Sequence, residues 1–259
     1  MSKFDYLKDF KINVPKFNFG INMPIFKGPT NIDRMLDGLR ASMLDWARVL
    51  QGTVDNPAAK EELRIHGILP HKSTPWNLFD PNNPRDFSSS VLSYYSNEWE
   101  QARGVFLEDV NSYQIGREAK DAFIEGIDCH TNGLYRATVL TVLPTAEAEF
   151  RRTFKIGPKQ QAASLKELRS AIDNAPAGVM LDHVAPFDLY RKLNKHLYEK
   201  VNTESDVERL NADPIPNRHA AIHGLVHYKS AISSLNALIM TDYVFFLITQ
   251  ISENLEPAE

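Results

Sequence analysis

The chain has one cysteine, Cys129, in 259 residues. A single thiol allows no intrachain disulfide, so the fold must rest on its core, and a reducing compartment is expected. A basic excess is also missing: 29 Lys and Arg stand against 33 Asp and Glu, a formal net charge of -4. Proteins that coat nucleic acid carry such an excess. Its lack argues against that class but leaves room for a local site for one strand. The first residues lack the apolar run of a secretory signal. The most apolar segment, Ala237 to Ile251, is interrupted by Thr241, Asp242 and Gln250, and falls short of the roughly 20 apolar residues of a membrane span. There is no internal repeat and no low-complexity tract. A cytoplasmic protein with no membrane partner is expected.

What is present is a hydrophobic fraction of 43%, enough for a sizeable core in one large domain or two small ones. Residues 1–30 differ from the rest. Phe17, Phe19, Ile21, Met23 and Ile25 alternate with Asn18, Gly20, Asn22 and Pro24, the period of an extended segment with one buried face. No second strand pattern follows nearby. This N-terminal arm therefore has two possible destinations, its own domain or a second subunit.

From residue 31 to 259 the pattern is helical, and we expect a single domain there. Thr30 or Asn31 caps a helix to about Gln51, with Ile32, Met35, Leu36, Leu39, Met43, Trp46 and Leu50 on one stripe. A short helix is expected over Asn56 to Ile65. Gly67 to Arg85, with Pro70, Pro75, Pro81 and Pro84, reads as an ordered loop anchored by Trp76, Leu78 and Phe79. Asp86 to about Tyr113 reads as one long helix, followed by Arg117 to about His130. Gly133 to about Phe154 is apolar nearly all round up to Leu143 and should be a central, buried helix kinked at Pro144. Arg136 and Glu147 sit within it. Lone buried charges are costly, so both should be paired or line a polar pocket. Further helices are expected over Leu165 to Asn174, Phe187 to Val201 and Ser230 to Glu253.

The chemistry concentrates between Asp213 and Lys229, DPIPNRHAAIHGLVHYK. Pro214 and Pro216 impose an extended approach, and Asn217 is a good N-cap. Arg218, His219, His223 and His227 follow at helical spacing. A fixed cation beside a group that titrates near neutral pH suits chemistry on a phosphodiester. Arg218 and His223 fall about 140° apart on a helical wheel at about 100° per residue, so a long arginine must swing to meet the histidine. The other reading makes His223 a core histidine and Arg218 a surface ion-pair former. A zinc site on His219, His223 and His227 with Glu147 is disfavoured, because three successive turns span about 12 Å and ligand bonds are roughly 2 Å. Nor is there an HExxH glutamate, because Ala220 follows His219. No metal and no cofactor are expected.

The run Asn217-Arg218-His219, three residues, His223-Gly224 resembles the R-x(4–6)-H signature of the HEPN superfamily. More broadly, the chain is similar to a little-characterised bacterial family with an NRHxxxHG motif. GILPHKSTP (Gly67 to Pro75), SYYSNEW (Ser93 to Trp99), GLYRATVLTVLPTAE (Gly133 to Glu147) and SSLNALIMTDYVF (Ser233 to Phe246) extend that likeness over about Gly67 to Ile251. The resemblance implies an all-α, HEPN-like multi-helix bundle, homodimerisation, and metal-independent endoribonuclease activity. Arg218 and His223 match the catalytic positions. Asn217, His219, His227 and Tyr228 would contact RNA, with Glu147 and Arg136 in support. HEPN toxins regulated by nucleotidyltransferases carry a tyrosine two residues after the histidine. Here that residue is Leu225, so that regulation is not implied. The alternative is a non-catalytic helical protein using the same groove for a protein or nucleotide partner.

Overall fold

In a computed structural model of the chain, residues 57–153, 196, 197 and 199–255 are described. The N-terminal arm, the helix expected to Gln51 and the helix over Leu165 to Asn174 lie outside them, as does most of Phe187 to Val201. Among the described residues the structure is all α, with eight α-helices and no strand: α1 Pro57–Ile65, α2 Phe87–Asn97, α3 Trp99–Ser112, α4 Arg117–Thr131, α5 Tyr135–Thr153, α6 Glu204–Ala212, α7 Arg218–Ile222 and α8 Ala231–Leu255. All of them belong to one compact unit.

Helix α5 is central, and its main neighbours are α4 and α8. Its inner face is Thr138, Val139, Val142, Leu143, Ala146 and Phe150. The approach of α4 depends on Gly126, where an added Cβ would lie 2.3 Å from Val142 Cγ1. Thr138 Oγ1 donates to the Gly126 carbonyl at 3.0 Å in the same contact. Phe106 of α3, Phe123 of α4 and Phe245 of α8 continue the core by edge-on contacts, with centroids 6.3 and 5.5 Å apart.

The outer face of α5 departs from expectation. Arg136 is exposed rather than buried, and Leu140, one turn on, is 36% exposed. The N-terminal part of this stripe thus faces outward, and the arginine needs no buried partner. The helix continues through Pro144 to Thr153.

Two other expectations change. The segment from Asp86 to Tyr113 is two helices, α2 and α3, divided at Glu98, whose backbone (φ -118°, ψ 31°) leaves the helical region. The loop before α2 is anchored by Trp76 and Phe79, which pack on Phe87 at 5.7 and 5.3 Å, whereas Leu78 is 45% exposed. A deeper anchor comes from α8. The Asn236 side chain accepts from Leu69 N–H at 3.0 Å and donates to the carbonyls of Gly67 and Pro214 at 2.8 and 3.2 Å. This ties the loop to the segment leading into α7.

Helix α8 begins at Ala231, earlier than the apolar run at Ala237, and Ala231–Thr249 is long and apolar enough to cross a membrane by length and composition. Most of that stretch is buried inside the unit, as in the core helix of a globular fold.

Candidate functional site

The segment from Asp213 to Lys229 forms a corner rather than one continuous helix. Asn217 caps α7 as its residue type predicts, its side-chain oxygen accepting from Ala220 N–H at 2.8 Å. The helix stops at Ile222, His223 is its C-cap, and Gly224 follows at φ 68°. A side chain disfavours that left-handed conformation, and glycine commonly terminates helices this way. The N–H groups of Leu225 and Val226 turn back to the Ala220 carbonyl at 2.9 and 3.2 Å. His227 therefore does not extend a helical stripe of His219 and His223, and it is exposed.

Asn217 is fully buried and its polar atoms are engaged. Its amide donates to the carbonyls of His196 and Glu199 at 2.6 and 3.0 Å, and its backbone N–H donates to the Tyr228 hydroxyl at 2.9 Å. Tyr228 is buried too, and burial pushes its phenol upward. Both residues hold the corner closed and face inward.

Arg218, His219 and His223 occupy the other side. The Arg218 guanidinium pairs with the Glu147 carboxylate on α5, and Arg151 Nε donates to the same carboxylate at 3.0 Å. Glu147 is 6% exposed, so it is buried, paired and directed at α7 as expected. Two guanidinium groups thus meet one buried carboxylate. The rings of His219 and His223 lie 4.5 Å apart between centroids, tilted by 48°. His223 is exposed and His219 half-buried. Burial first, then the nearby His223, Arg218 and Lys200, pull the His219 imidazole below its ordinary range. Nδ1 of His219 and Nε of Arg218 have no hydrogen-bond partner among the described residues. Exposed Ile222 and Leu225 flank His223.

A second polar cluster lies in the core and did not emerge from motif spacing. His71 is fully buried, its ring stacked on Phe106 at 4.3 Å. Its Nε2 lies 3.3 Å from Asp242 Oδ2, and the Tyr113 hydroxyl donates to both oxygens of Asp242 at 3.2 and 3.1 Å. Asp109 is paired with Lys72. Burial and the charge of Asp242 hold the Asp109 carboxyl above the usual carboxylate range, against the pull of Lys72. On the far side of His71, Ser73 Oγ lies 2.8 Å from Nδ1 and 3.1 Å from the Tyr95 hydroxyl. The available sequence signal was Asp242 itself, a charge interrupting an otherwise apolar helix.

No protein-family model, curated protein or solved structure matches the chain.

Proposed function

We propose that the α7 corner is the catalytic site of a metal-independent, HEPN-like endoribonuclease. The observation that carries this reading is the contact between the His219 and His223 rings at 4.5 Å, beside Arg218. Cleavage of RNA by its own 2′-OH needs a proton removed from that hydroxyl and one delivered to the departing 5′-oxygen. It also needs positive charge for the growing charge on the phosphoryl oxygens. His219, which burial and nearby cations hold below its ordinary range, offers Nδ1, without a hydrogen-bond partner among the described residues, as a proton acceptor. His223, exposed at the helix end, is placed to exchange protons with substrate and solvent. Arg218 supplies the charge-assisted donors that suit a phosphate. In this reading the protein is cytoplasmic and a homodimer, and two α7 corners would pool their cations.

One observation favours the second reading, a non-catalytic helical binding protein. Arg218 is already paired with Glu147, and Asn217 and Tyr228 are buried within the corner. The two readings separate on incubation with total RNA in EDTA, comparing wild type with Arg218→Ala and His223→Ala. The nuclease leaves 2′,3′-cyclic phosphate ends, and His223→Ala loses about 10²–10⁴-fold in rate with its fold intact. Full activity in a well-folded His223→Ala protein overturns the proposal. RNA or nucleotide binding without cleavage by wild type establishes the second reading.

A further inference from the structure

We propose that His71, Asp109 and Asp242 bind one first-row divalent cation, of the Zn²⁺ or Mn²⁺ type, that fastens the loop after α1 to α3 and α8. This site is separate from the α7 corner and does not depend on its chemistry.

The three side chains come from three segments far apart in sequence, yet their ligand atoms all lie within 4.8 Å of one another. Ligand bonds of about 2.0–2.2 Å place the donors of one ion roughly 3–4 Å apart, so a closure of at most about one to two ångströms completes the set. One imidazole and two carboxylates suit first-row divalent ions. Ca²⁺ and Mg²⁺ prefer oxygen alone.

An unpartnered group points to the ligand. The Asp109 side chain is 9% exposed. Its Oδ1 holds Lys72, and its Oδ2 is buried with no hydrogen-bond partner among the described residues. A buried carboxylate oxygen without a donor is costly, and a cation resolves that cost. The charges agree in sign. Among the described residues, two carboxyl groups, Asp109 and Asp242, meet one ammonium, Lys72, where there is little water to screen them. Lys72 is the competitor for Asp109 and must move aside as the cation binds.

The outer shell is already built. Tyr113 donates to both Asp242 oxygens, fixing that carboxylate. Phe106 stacks on the His71 ring. Ser73 Oγ lies 2.8 Å from His71 Nδ1, so when Nε2 takes the cation the ring proton can reside on Nδ1 and be donated to Ser73. The 3.2 Å contact from Ser73 N–H to Nδ1 is then given up. An outer donor or acceptor on the second ring nitrogen is the usual support of a metal-bound histidine.

The test uses the full chain, stripped with EDTA and then dialysed free of chelator. Zn²⁺ and Mn²⁺ are titrated by calorimetry, and Co²⁺ by visible absorption. The expected result is one ion per chain, cobalt d–d bands of an imidazole–carboxylate site, and a melting temperature raised by at least about 4 °C at saturation. Asp109→Asn weakens binding by more than about 100-fold, the upper range for loss of outer-shell partners. Lys72→Met, which removes the competing ammonium, binds more tightly. If wild type binds no ion stoichiometrically and its melting curve does not move, the proposal is wrong, whatever the folding of the variants. Weaker binding in a folded Lys72→Met protein also overturns it. RNA cleavage in EDTA reads the α7 corner alone, so the two proposals fail separately.

Discussion

The Glu147 carboxylate on α5 lies between the guanidinium groups of Arg218 and Arg151, 6% exposed, while the two arginine side chains are 25% and 23% exposed. The pair thus crosses from the central helix to the corner that carries the two histidines, and its members differ in how far water can rescue them.

That difference predicts an asymmetry. Glu147→Ala leaves two adjacent guanidinium groups without their shared carboxylate. Breaking a fully buried pair costs about 3–5 kcal/mol. The partly exposed arginines regain some hydration, so about 1–3 kcal/mol is expected here. Arg218→Ala should cost less, because Arg151 still holds Glu147. Urea denaturation of the two variants measures both, and equal losses would mean that Arg151 contributes nothing to the pair.

The closed side of the corner should be as sensitive as the open side is tolerant. Tyr228→Phe removes the hydroxyl that accepts from the Asn217 N–H, and a buried unsatisfied donor costs about 1–3 kcal/mol. Asn217→Ala loses a cap worth about 0.5–2 kcal/mol and also the amide bonds to two carbonyls. His227→Ala, at an exposed position, should change stability by less than about 0.5 kcal/mol. Thermal melts of the three variants test this ranking.

Gly126 predicts a steric effect opposed to helix propensity. In a free helix Gly→Ala gains up to about 1 kcal/mol. Here the new methyl would lie 2.3 Å from Val142 Cγ1, and a β-branched side chain has few rotamers to retreat to. Overpacking costs about 1–3 kcal/mol, so Gly126→Ala should be net destabilising. The double variant Gly126→Ala/Val142→Ala tests the cause, because the added methyl should then cost less than it does beside Val142.

His130 predicts a pH dependence. It lies against Trp99 at 4.3 Å and Ser234 Oγ at 2.8 Å, and burial lowers its pKa from 6.5 to about 4. The unfolded chain then binds the proton first as pH falls. This contribution to stability is present above about pH 6.5 and is lost down to about pH 4, by at most about 3 kcal/mol. Melting temperature against pH should fall less steeply over that window in His130→Gln than in wild type. Parallel curves would place the acid sensitivity elsewhere.

Local sequence determined much of the helical framework. The apolar periodicity of α4, α5 and α8 marks their extents to within a few residues, because a 3.6-residue period is written in neighbouring side chains. Asn217 announces its cap, and Glu147, a carboxylate within an apolar helix, announces a buried partner. Helix α6 was not expected: Thr203 and Asp206 form a capping box at its start, with bonds of 3.1 and 3.0 Å, but the polar surface of that helix gives little periodicity to mark it.

Other features depended on packing. Arg136 and Glu147 look alike as charges in one apolar helix. At about 100° per residue they even fall on nearly the same face, and what separates them is that α7 packs over the stripe at Glu147 while Arg136 is left exposed. The apolar pattern runs across Glu98, so the division between α2 and α3 is absent from it. His71 and Asp242 are 171 residues apart. Periodicity specifies which face of a helix is buried but not which distant residue meets it, so the polar cluster in the core appears only when the loop, α3 and α8 are brought together.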